Sequence, residues 1–83
     1  MTVTAERVSA FIFTNHILPA RERGERTVIV SVRQVWRGLD GEFPLHLIRG
    51  VLGSMRFRNT YHLGLVAREG SRDDPEGTFI FNL

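Results

Sequence analysis

The chain has 83 residues, 42% of them hydrophobic and 24% charged, a composition of a folded soluble domain rather than a disordered tail. No apolar run approaches the roughly 18 residues that a membrane span needs, and a domain of this length buries only about 60% of its unfolded surface, so modest stability is expected. Cysteine is absent, which excludes disulfides and thiolate metal sites, and the lack of an apolar leader at the amino terminus predicts a cytoplasmic protein.

The formal net charge is only +2, yet all eleven basic residues are Arg. Arg makes planar, bidentate contacts with phosphates and carboxylates, which suits an anionic partner. A GC-rich coding sequence enriches Arg as well. Distribution is therefore more informative than identity: between Phe43 and Ala67 stand Arg49, Arg56, Arg58, His46 and His62, with no acidic residue.

In chain order, Val8, Phe11, Ile12 and Leu18 recur at near-helical spacing behind Ala5, Glu6 and Arg7. The spacing predicts a helix over 4–18 with Pro19 as its stop, the competing reading being a strand over 8–13. Pro19 to Arg26 mixes charges of both signs without apolar periodicity and reads as an exposed connection. Thr27 to Val30 is a β-branched run and predicts a strand over 27–30. Ser31 followed by Gln34 forms a capping box, and Val32, Val35, Trp36 and Leu39 then define one apolar stripe of a helix over 32–39.

Asp40 and Gly41 supply a stop, and Pro44 has the pre-set φ of a first helical position, which predicts a second helix over 44–54. Leu47, Ile48, Val51 and Leu52, extended by Met55, form its expected buried face, with His46, Arg49, Gly50 and Gly53 opposite. Two such helices joined by a tight turn suggest a helix-turn-helix. Beyond Ser54 the spacing alternates. Tyr61, Leu63 and Leu65 predict a strand over 60–67, turn formers fill 69–77, and Phe79, Phe81 and Leu83 predict a strand over 78–83. The two strands should pair as a hairpin with Phe79 and Phe81 on the face of Leu63 and Leu65. Val35, Trp36, Ile48, Leu52, Phe57, Leu63 and Phe79 are the expected core.

The resulting α+β order, α-β-α-α-β-β with a small antiparallel sheet, resembles a winged helix-turn-helix domain spanning residues 1–83. The resemblance rests on Thr27 to Val30, Ser31 to Leu39, Pro44 to Ser54 and Tyr61 to Leu83. It implies duplex DNA as the partner, with 44–54 as a recognition helix in the major groove and the hairpin as a wing. A minority of domains similar to this one bind proteins. Asp73, Asp74 and Glu76 outnumber Arg72 at the wing tip, where acidic groups repel phosphate.

Within that scheme Arg49, beside His46, reaches guanine edges or a phosphate. Arg56, Arg58 and Asn59 follow the recognition helix and are suited to phosphates. Arg33 and Arg37 stand at i and i+4 on the outer face of 32–39, where a helix-turn-helix crosses the backbone. Arg72, Asp73, Asp74 and Glu76 form the candidate surface for a protein partner. Catalysis is not expected: there is no Cys or Lys, no glycine-rich phosphate loop, and the three His residues are scattered, so no metal or cofactor is predicted either. The leading expectation is a DNA-binding transcriptional regulator or the DNA-contacting subunit of a larger complex. Its rival is a protein-binding adaptor or inhibitor, phage-encoded or defence-related, on the same scaffold. An edge strand or the first helix would also serve a homodimer.

Overall fold

The computed structural model describes residues 3–70 and 77–83. Helix α1 comprises three consecutive segments, α-helical Val3–Ile12, π-helical Phe13–Ile17 and α-helical Leu18–Glu22. Pro19 therefore does not stop the helix, and the strand alternative for 8–13 is overturned. A proline lacks the N–H that would bond four residues back, and its ring crowds that carbonyl. Here the backbone widens into a π turn just ahead of Pro19, with Leu18 N–H donating to the Phe13 carbonyl five residues earlier. The wider turn carries the chain past the proline without ending the helix. Val8, Ile12, Ile17 and Ala20 are all buried, so one apolar stripe continues through all three segments.

Strand β1, Thr27–Ser31, leads directly into helix α2, Val32–Gly38. Ser31 caps the helix by accepting the Gln34 N–H at 3.4 Å, the expected half of the capping box. At the other end Asp40 N–H donates to the Arg37 carbonyl and Gly41 N–H to the Trp36 carbonyl, both at 3.0 Å. Asp40 and Gly41 both adopt positive φ, 56° and 69°, so this is a Schellman stop in which an Asp takes the first left-handed position. Helix α3 is Leu45–Leu52, with Pro44 as its extended N-cap residue rather than its first helical one.

The largest departure from expectation follows α3. Met55–Tyr61 forms a further helix, α4, on which Met55 is exposed rather than on the buried face of α3, and strand β2, Gly64–Glu69, begins only after it. Ser54 is the N-cap, accepting from Phe57 N–H at 3.2 Å, and Phe57 and Tyr61, one turn apart, face the interior. Tyr61 thus ends a helix instead of opening a strand. Its ring stacks on Phe13 with centroids 4.5 Å apart, and Arg21 Nη2 donates to the Tyr61 carbonyl at 2.6 Å and to the His62 carbonyl at 3.3 Å. The second half of α1 thereby clamps the carbonyl end of α4.

Strand β3, Thr78–Asn82, lies between β1 and β2, antiparallel to both. Leu65 pairs with Phe81 but Ala67 with Ile80, so a bulge at Val66 shifts the register by one. Leu65, opposite Phe81, packs inward, and beyond the bulge Arg68, opposite Phe79, extends its guanidinium over the Phe79 ring at 5.7 Å. Phe57, Phe79 and Phe81 form the aromatic centre of the core, closed by Val8, Ile12, Val30, Val35, Ile48 and Leu52. Trp36, expected inside, is only half-buried at the core's edge, with Arg33 over its ring at 5.3 Å. The expected face-sharing of Leu63 and Leu65 with Phe79 and Phe81 is observed.

Candidate functional site

Helix α3 buries Ile48, Val51 and Leu52 and leaves His46 and Gly50 exposed. Its outward arc is completed by Arg49, which is half-buried. The Arg49 Nε is enclosed, and a Cβ built on Gly77 would stand 3.7 Å from it. The Arg49 side chain therefore lies against the base of the β2–β3 hairpin, so that α3 and the hairpin present a joint surface.

The remaining predicted contacts within the described residues are divided between two helices. On α2, Arg37 is exposed, whereas Arg33 is half-buried along Trp36. On α4, Arg56 and Asn59 are exposed. Arg58, two residues and about 200° from Arg56 on a helix, is half-buried, and its enclosed Nε has no hydrogen-bond partner among the described residues. The structure thus leaves His46, Arg37, Arg56 and Asn59 open to a partner and partly withdraws Arg33, Arg49 and Arg58. Arg56, Arg58 and Asn59 were expected on an irregular exit from the recognition helix, and they stand on a helix of their own. Arg72, Asp73, Asp74 and Glu76 lie outside the described residues.

Sequence reasoning missed a groove beside α3. A cavity of about 450 Å³ separates Ala5 and Ser9 of α1 from His46, Leu47, Gly50 and Val51 of α3, and is lined as well by Ser54 and Arg56. A smaller cavity of about 160 Å³ adjoins it, with Ser9 and Arg56 lining both and Glu6, Phe57, Thr60 and Tyr61 completing the second. Gly50 forms part of the floor: a Cβ built on it meets nothing within 4 Å. Ser9 is only 6% exposed, and its hydroxyl has no hydrogen-bond partner among the described residues. An interior helical Gly, unfavourable by about 1 kcal/mol relative to Ala, was the one sequence signal for this feature. The open space above Gly50 shows that close packing of α1 is not what the glycine serves.

Among the described residues no group of three or more His, Asp or Glu side chains converges as a metal site would require, and no helix is long and apolar enough to cross a membrane. His16 on α1 is half-buried beside Phe11, ring centroids 6.4 Å apart, and its burial pushes the imidazole pKa below the usual value. Neither protein-family models, curated proteins nor solved structures give a match to this chain.

Proposed function

We propose that the chain is a winged-helix protein that binds duplex DNA, as a regulator or as the DNA-contacting part of a larger assembly. The observation that carries this reading is that the Arg49 side chain of α3 lies beside Gly77 at the base of the hairpin. A helix standing proud of the core beside a hairpin suits a major groove with a flanking contact. In this reading the exposed His46 faces base edges and Arg37, Arg56 and Asn59 take phosphates, while the half-buried Arg49 lies between α3 and the hairpin. The stretch from Phe43 to Ala67 supplies all of these groups but Arg37 without an acidic side chain.

The test is a mobility-shift titration with random duplex at two salt concentrations. Binding should weaken steeply with salt, since each neutralised phosphate releases condensed counterions and contributes a slope of about 0.9 in log K against log salt. Absence of binding at low salt would overturn the proposal.

A protein-binding adaptor is the second reading, supported by the outer face of the sheet. Ile29 and Val66 are 64% and 52% exposed there, and Ile80, half-buried, pairs directly with Ile29. Light scattering and pull-down of a candidate partner with an Ile29→Glu variant separate this surface from the α3 face.

A further inference from the structure

We propose that the groove between α1 and α3 is a binding site for a small amphipathic monocarboxylate, its apolar body lying over Gly50 and its carboxylate held by Arg56 and Ser9. The larger cavity, about 450 Å³, is in the range of sites that hold small molecules, which are mostly apolar with a few convergent polar groups. Its walls follow that pattern, with Ala5, Leu47, Gly50 and Val51 giving the apolar part.

Three independent features select the ligand's chemistry. Every ionisable residue lining the larger cavity, His46 and Arg56, is basic, while Glu6 lines only the smaller neighbour. The Ser9 hydroxyl, buried at the junction of the two cavities and lacking a partner among the described residues, is a donor whose desolvation goes uncompensated until something bonds it. Gly50 leaves empty the volume that any other residue would fill, at a cost in helix stability that a ligand's close approach over the backbone explains. An anionic head on an apolar body satisfies all three; an ammonium head would face Arg56 unfavourably.

This inference concerns ligand binding by the isolated chain and does not rest on the DNA reading, although His46 and Arg56 serve in both. Amide-resonance titrations of the full chain with sodium octanoate and with octylammonium chloride test it, because the two probes share a tail and differ in the sign of the head. Octanoate should give saturable shifts centred on Ala5, Ser9, Leu47 and Gly50, at least about tenfold tighter than octylammonium. Gly50→Leu fills the space with a good helix former, so it should melt no lower than the parent and lose octanoate binding. Arg56→Gln should weaken octanoate about tenfold without affecting octylammonium. Ser9→Ala should weaken octanoate several-fold while raising the thermal midpoint. Equal affinity for the two probes, no saturation in the millimolar range, unchanged binding by Gly50→Leu or Ser9→Ala, or shifts spread equally to Ile29 and Val66 would each overturn the proposal.

Discussion

Gly50 and Gly77 act on local stability through what a side chain at each position would meet. Both are glycines, but their surroundings differ in sign. At Gly50 an added Cβ meets nothing within 4 Å and the residue is helical, so Gly50→Ala should stabilise the chain by about 1 kcal/mol, measured as the urea midpoint at constant slope. At Gly77 the same methyl would stand 2.5 Å from the Glu69 carbonyl oxygen, which is backbone and cannot turn aside. Gly77→Ala should therefore lower stability by more than about 1 kcal/mol. Periodicity alone marked Gly50 as anomalous but could not say what faced it, because that depends on how α1 crosses α3. Trp36 was misread for a related reason. It does fall on the apolar stripe of α2, but the stripe's edge overhangs the core, leaving the indole half-buried between Arg33 and Gly41. Its alanine variant should cost less than the roughly 3–5 kcal/mol of a fully enclosed Trp.

At the scale of elements, β2 begins four residues later than its alternation suggests, whereas strands β1 and β3 and helices α2 and α3 were readable because each carries a clean period. Two features were not. Helix α1 extends beyond Pro19 through a π turn that no local propensity announces, and α4 is so short that its Phe57 and Tyr61 read as alternation. The retrospective signal for α4 is Ser54 acting as a second N-cap only two residues after α3 ends. The clamp between these two misread elements predicts that Arg21→Ala costs about 1.5–3 kcal/mol, the worth of a hydrogen bond from a charged donor, here made to the carbonyl end of α4. His16, in the π segment, adds a pH dependence. Burial lowers its folded pKa, so the unfolded chain takes up a proton first as pH falls. Stability is then fully present above about pH 6.5 and declines as pH drops through that value toward the lower folded pKa. The drop in urea midpoint between about pH 7.5 and pH 5 should shrink in His16→Gln, with the carboxylate contribution common to both proteins.

For the whole molecule, the α+β class and the antiparallel three-stranded sheet followed from the order of elements, whereas the groove beside α3 arises only from packing elements distant in sequence and could not be read from it. The candidate contacts were readable as residue types but not as one surface, since α4 redirects Arg58 inward and leaves Arg56 outward. Charge reversal tests that division. If α3 and its flanks bind DNA, Arg37→Glu with Arg56→Glu should abolish binding, and single alanine changes at either should lower the salt slope by about one, as expected for a lost phosphate contact. Arg58→Ala should leave the slope unchanged, because its guanidinium stem is enclosed. Asp73→Arg with Asp74→Arg should strengthen binding to random duplex, since two repulsive charges in the segment joining β2 and β3 become attractive. An adaptor whose partner reads those acidic groups would instead lose function through the same change, without gaining from it on DNA. Duplex affinity and activity in cells, measured on that one variant, therefore move together only if DNA is the biological partner. A variant that gains duplex affinity while losing activity in cells would assign the working surface to a protein.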